Sequence, residues 1–113
     1  MHEISLMASL LETAERSARE AGAERICSLR VRVGALSGVV AEAFEFAFQA
    51  LRDRTMAREA VIEIEHVAAR CRCGGCGGEF EPASPIYACP RCGQVAATIL
   101  AGRELVLVSM EVE

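Results

Sequence analysis

The chain has 113 residues, enough for one compact unit or one small core carrying an insert. Hydrophobic residues make up 52%, but with one Tyr, four Phe and no Trp, alanine and the aliphatic residues must fill the interior. The net charge is −4 and every basic residue is arginine, which leaves no large basic surface for nucleic acid, and no apolar run is long enough to span a membrane.

Met1-His2-Glu3 opens the chain and a helix follows. Ile4, Met7, Ala8, Leu11, Ala14 and Ala18 recur at helical spacing, with charged residues between them. Ser5 is expected to cap the start of this helix and Gly22 to end it. From Arg25 to Val33 the pattern alternates. Cys27, Leu29, Val31 and Val33 fall on one side and Ser28, Arg30 and Arg32 on the other, as in a half-buried strand. Cys27 then reads as a core thiol.

Residues 34–38 form a turn, in which Ser37 is placed to cap a second amphipathic helix. Val40, Phe44, Ala47, Phe48 and Leu51 make its apolar face, and it ends near Arg54. Residues 60–68 give a second strand. Ile62, Ile64 and His66 share one face, opposite Val61, Glu63 and Glu65. His66 is expected at the sheet end as an ordinary strand-edge histidine. After a cysteine-rich segment, Gly102 breaks the pattern. Residues 103–113 then form a last strand with Val106, Val108, Met110 and Val112 on one face and Leu105 and Leu107 on the other.

The cysteine-rich segment carries five of the six cysteines. Cys73/Cys76 and Cys89/Cys92 are two Cys-x-x-Cys pairs, followed by Gly77 and Gly93 and separated by a loop with Pro82 and Pro85. Each pair supplies two thiolates from a tight knuckle, and the loop brings the knuckles together around one tetrahedral metal. Glycine after each knuckle takes the positive φ that turns backbone N–H groups toward sulfur. Structural Zn(II) is the first reading; iron suits the same donors, and two disulfides would need an oxidising compartment. Cys71 is a spare, read as a free thiol at the domain edge, with a role as alternative ligand to Cys73 the sharper option. Arg70, Arg72 and Arg91 are expected chiefly to offset the charge of four thiolates on zinc. Phe80 and the Ile86-Tyr87 pair flank the loop and are expected to form a small β-ribbon with residues 95–100.

The element order is helix, strand, helix, strand, metal module, strand. The fold class is α+β, with two helices packed on a three-stranded mixed sheet and an inserted zinc-ribbon-like β module. The first two strands are expected to be parallel through a helical crossover, and the second and third antiparallel like a wide hairpin. Residues 1–69 plus 103–113 form one domain and 70–102 a zinc-binding domain, which holds together because metal binding supplies folding energy.

A second metal site is written at the N-terminus. The Met1 amine, the His2 amide and imidazole, and the Glu3 amide are four nitrogens able to surround Ni(II) or Cu(II) in a square-planar or tetragonal set, with the Glu3 carboxylate axial. By itself, a histidine at position two is ordinarily a solvated terminal residue.

Taken together, the residues resemble the HypA/HybF family of nickel-incorporation metallochaperones for [NiFe]-hydrogenase and, in some bacteria, urease. The resemblance spans the chain and rests on Met1-His2-Glu3, the segment from Val33 to Val39, the paired cysteines, and the closing segment from Gly102 to Glu111. It implies that His2 is the essential nickel ligand, with Met1 and Glu3 contributing. It implies structural zinc on Cys73, Cys76, Cys89 and Cys92, with Cys71 departing from the simplest pattern. It further implies transient Ni(II) binding, a partner GTPase of the same maturation pathway, and delivery to the hydrogenase large subunit. Such a protein is no enzyme; it is expected to be cytoplasmic, a monomer or homodimer, and to bind neither nucleic acid nor membrane. The competing readings are a zinc-ribbon module that binds protein or nucleic acid without nickel, and a rubredoxin-like electron carrier.

Overall fold

The structure, a computed structural model of the chain, describes residues 2–82 and 88–113, without the side chains of His2, Ala96 and Ala97. The first helix, α1 (His2–Glu20), lays Met7, Leu11, Ala14 and Ala18 into the core as the periodicity requires. Leu6 and Leu10 also pack against that core, whereas Ala8 is exposed. Ser5 is not the cap, because the helix already begins at His2 and Ser5 lies inside it. The apolar stripe extends back through Ile4, and packing there prolongs the helix past the local cap signal. The C-terminus follows the expectation. Gly22 sits at φ 76°, its N–H donates to the Arg19 carbonyl, and the Ala23 N–H donates to the Ala18 carbonyl. That pair of bonds is the Schellman closure.

Strand β1 (Ile26–Gly34) is central, with β2 (Val61–Val67) parallel on one side and β6 (Leu105–Val112) antiparallel on the other. The second and third strands of the prediction thus run in opposite directions, but β1 lies between them and they form no hairpin. Two register shifts in the β1–β6 ladder change which side chains face inward. Ile26 pairs with Val112 and Ser28 with Glu111, leaving Cys27 bulged out of step. Ile26 is therefore the buried residue and Cys27 only half-buried, contrary to its reading as a core thiol. Likewise Arg30 pairs with Ser109 and Val31 with Leu107, so Val108 is skipped. Met110 accordingly joins Leu105 and Leu107 against the core, while Val106, Val108 and Val112 stay exposed. A one-residue slip in a strand reverses every side chain beyond it.

Helix α2 (Ala41–Leu51) packs against α1 and buries Phe44, Ala47 and Phe48. Each buried phenylalanine contributes about 2–3 kcal/mol of hydrophobic stabilisation. A 3₁₀ turn over Arg52–Arg54 follows, with the Arg52 guanidinium over the Phe48 ring. Val40 is the N-cap and is exposed; Ser37 instead closes a local turn by accepting from the Val39 N–H.

A second sheet comprises β3 (Arg70–Cys73), β4 (Glu79–Phe80) and β5 (Ala96–Ala101), in the order β4-β3-β5. The expected ribbon thus uses Phe80 and β5, with β3 between them; Ile86 and Tyr87 lie outside the described residues. This sheet has a separate small core of Cys71, Cys73, Phe80 and Cys89, with Ile99 against it. The radius of gyration is 17.4 Å and the extents are 54 × 26 × 17 Å. A compact chain of this length would have a radius near about 13 Å, so the two cores lie end to end. Among the described residues, no helix is long and apolar enough to cross a membrane.

The sheets meet at Ala69 and Gly102. The Leu36 N–H donates to the Gly102 carbonyl at 2.6 Å, the Gly34 N–H to the Glu104 carbonyl at 2.7 Å, and the Gly102 N–H to the Glu104 carboxylate at 2.7 Å. A Cβ on Gly34 would overlap the Gly102 carbonyl, and Gly102 itself sits at φ 113° against the Ala69 backbone. These glycines allow the turn after β1 to lie against the strand junction.

Candidate metal centres

Cys73, Cys76, Cys89 and Cys92 converge. Their sulfur atoms all lie within 4.8 Å of one another. Across the two knuckles, Cys73 Sγ is 3.3 Å from Cys92 Sγ and Cys76 Sγ is 3.7 Å from Cys89 Sγ. Four sulfurs at about 2.3 Å from a tetrahedral zinc would stand about 3.8 Å apart, so the cage has the right size. Cys73 and Cys89 are buried, Cys76 and Cys92 exposed.

Each knuckle is built by local backbone geometry. The Gly77 N–H closes onto the Cys73 carbonyl at 3.0 Å and the Gly93 N–H onto the Cys89 carbonyl at 2.9 Å. Both glycines have positive φ, 73° and 76°. The turns aim amide hydrogens at the first sulfur of each pair: Gly75 N–H reaches Cys73 Sγ at 3.3 Å. The Cys76 backbone N–H, then the Cys92 thiol and the Gly75 N–H, lower the Cys73 pKa to about 6. The Cys92 and Arg91 backbone N–H groups likewise hold Cys89 below the ordinary thiol value. Cys92 is the counterpart. The Gln94 N–H favours its thiolate, but the Cys73 sulfur, burial and the other two thiols outweigh it and push Cys92 up to about 11. Backbone N–H groups thus favour the thiolate at the first position of each knuckle, while a metal entering the cage must displace the proton that Cys92 holds.

Cys71 lies outside this group. It alternates with Cys73 on the buried face of β3, pairs across to Phe80 and Ile99, and is fully buried. It is a core thiol of the second sheet and not an edge residue. Arg70 and Arg72 point the other way, and both approach Glu79 at 3.6 Å. They therefore pair with a carboxylate and do not face the thiols. Arg91 contributes to the cage through its backbone.

At the N-terminus, Met1 and the His2 side chain lie outside what the structure describes, and α1 starts at His2. The Glu3 carboxylate accepts from the Val40 N–H at 3.3 Å, which binds the start of α1 to the start of α2. Sequence reasoning did not foresee this bond, because it joins residues 37 positions apart. His66 is exposed at the end of β2, beside a hollow lined by Val33, Gly34, Ala35, Val39 and Ala41.

Comparison with known proteins supplies the context. A family model described as "Hydrogenase/urease nickel incorporation, metallochaperone, hypA" matches residues 1–112. A hydrogenase maturation factor HypA of Picosynechococcus sp. is 40% identical over 112 residues, covering 99% of each chain. One from Synechococcus elongatus is 45% identical with the same coverage. Among solved structures, the chain is similar to the solution structure of the Ni metallochaperone HypA from Helicobacter pylori. The TM-score is 0.68 at 25% identity, over 97% of this chain and 96% of that one. A second solution structure, of a HypA protein, gives a TM-score of 0.72 at 28% identity, over 100% and 97%.

Proposed function

Since the chain belongs to the HypA family of hydrogenase/urease nickel-incorporation metallochaperones, we propose that it takes up Ni(II) at its own N-terminus and passes the ion on during [NiFe]-hydrogenase maturation. The ligands are the Met1 amine, the His2 amide and imidazole, and the Glu3 amide. This is a nitrogen-rich set suited to Ni(II) in tetragonal geometry. The observation that carries the proposal is the placement of Glu3. Its side chain is held at Val40, and α1 starts at His2, so the His2 and Glu3 amides belong to the first turn of a helix tied to α2. Two deprotonated amides neutralise the ion, which keeps it compatible with the positive end of the helix dipole. The amine and imidazole must also be neutral, so binding weakens as pH falls.

Structural zinc fits the four-thiol cage, with Cys73, Cys76, Cys89 and Cys92 as ligands and Cys71 packed beside it. Zinc bound there supplies folding energy to a sheet whose core has four buried residues among those described. A closed set of four thiolates leaves no position for catalysis, and the protein's work is transfer. Residues 1–69 with 103–113 form the nickel-binding unit and 70–102 the zinc-binding unit. The receiving partners are the maturation GTPase of the same pathway and the hydrogenase large subunit.

The test is calorimetric titration of zinc-loaded protein with Ni(II), beside a His2→Ala variant that keeps its zinc. Stoichiometric binding that disappears in the variant supports the site; equal binding by both proteins, or binding by neither, rejects it.

A further inference from the structure

The edge of the first sheet beside α2 carries a surface that the metal chemistry does not use. β2 pairs only with β1 among the described residues, so one side of its backbone has no strand partner. An unpaired strand edge is a template for another strand. Beside it runs a groove of about 440 Å³ between β2 and the outer face of α2, lined by Glu42, Glu45, Phe46, Gln49, Val61 and Ile62 among others. Phe46 is 69% exposed and Val61 68%, the two most exposed large hydrophobic residues among those described. An exposed phenylalanine facing an unpaired strand is what an interaction surface needs at its centre.

The charge around the groove selects the occupant. Glu42 and Glu45 flank Phe46 on one helix face, and neither has an ion pair among the described residues. Arg52, the basic residue of the groove, donates to the Ala60 carbonyl at 2.8 Å and stacks on Phe48. The acids of β2 itself, Glu63 and Glu65, are already paired with Arg30 and Arg32 on the open face of the sheet. The unmet need is therefore for positive charge on the helix side of an incoming strand.

A second copy of this chain does not meet it. The edge strands β2 and β6 contain no arginine or lysine. Pairing β2 with β2 across a twofold axis would set Glu42 and Glu45 against their own copies. We propose that β2 and the Glu42–Phe46 face of α2 accept, by strand addition, an extended segment of another protein in which arginine or lysine alternates with apolar residues. Its cationic side chains lie on the helix side, where their aliphatic stems cover Phe46 and their charged heads meet Glu42 and Glu45, while the apolar residues alternate onto the open face, the face of Val61. The groove begins two residues beyond Val40, the residue that holds Glu3, so a partner seated here lies next to the N-terminal segment. The surface stands on its own observations and does not depend on where nickel binds.

The experiment uses the zinc-loaded full chain, labelled for amide NMR. The probe is a peptide as long as β2, 7 residues, alternating arginine with valine, beside its glutamate–valine counterpart. Three results are expected together: shifts at 42–49 and 60–67, slowed hydrogen exchange at alternate β2 amides, and affinity at least about tenfold higher for the arginine peptide, lost with rising salt. Phe46→Ser and the double change Glu42→Gln with Glu45→Gln should each weaken binding about tenfold while leaving the free protein's spectrum folded, since all three side chains are exposed. No binding, equal binding of both peptides, shifts without new protection on β2, or self-association through the same amides would each overturn the proposal.

Discussion

Glu3 and Val40 are joined across the helix pair: the carboxylate of the former accepts the backbone N–H of the latter at 3.3 Å. Val40 is the N-cap of α2 and has no side-chain cap of its own. Glu3 thus serves as a cap supplied from another helix, with its negative charge at the positive end of α2. Glu3→Ala should destabilise the protein by about 0.5–1.5 kcal/mol, and Glu3→Gln by less, because the amide oxygen still accepts the bond. Urea denaturation of the three zinc-loaded proteins measures this, and equal midpoints would show that the bond contributes nothing.

The glycines differ in what they hold. A Cβ on Gly22 meets nothing within 4 Å, so Gly22→Ala carries only the positive-φ penalty, about 1 kcal/mol. A Cβ on Gly34 overlaps the Gly102 carbonyl, so Gly34→Ala must displace the strand junction and should cost more than Gly22→Ala, about 2 kcal/mol or above. Thermal midpoints of the two variants should fall in that order.

The thiols set a pH response for the metal-free protein. Cys73, held at about 6 chiefly by the Cys76 backbone N–H, is a group whose folded pKa is depressed. Its contribution to stability is full above the ordinary thiol pKa and is lost as pH falls through about 6. Cys92, raised to about 11, contributes in the opposite sense and loses its contribution as pH rises toward that value. Ultraviolet thiolate absorbance should show a first step near pH 6 that disappears in Cys73→Ser. A first step near the ordinary thiol value in both proteins would contradict the assignment.

Cys27 should behave in the reverse way. Its Sγ donates to the Glu113 carboxylate at 3.3 Å, which, with desolvation, raises its pKa, although Arg25 pulls the other way. The thiol is half-buried and reachable, yet it should alkylate slowly at mildly alkaline pH. Glu113→Gln should bring the pKa back down and speed alkylation several-fold, about threefold or more. Mass-resolved labelling of zinc-loaded protein separates Cys27 from the knuckle thiols.

Much of the fold is carried by local signals. The stripe of Met7, Leu11, Ala14 and Ala18, the Gly22 stop and the alternation in β1 are each decided within a few residues, and the structure keeps them. The knuckles are local too, which is why spacing alone gathers Cys73, Cys76, Cys89 and Cys92. What escaped was non-local. The bulges at Cys27 and Val108 arise from pairing β1 with a strand some eighty residues away, and each reverses the faces read from alternation. Cys71 looked like an edge residue because β3, the strand that buries it, is itself created by pairing with β4 and β5. The Glu3–Val40 bond was invisible for the same reason.

The second core contains Cys71, Cys73, Cys89 and Phe80, so among the described residues three of its four buried members are thiols. The atoms that hold this end of the molecule together are also the ones that peroxide and other oxidants attack first. Cys73 and Cys92 stand 3.3 Å apart, and little movement is needed to join them. A disulfide there would take two donors from any metal and distort the centre of the sheet at once. Oxidation of sulfur is thus a single event that removes metal donors and core atoms together.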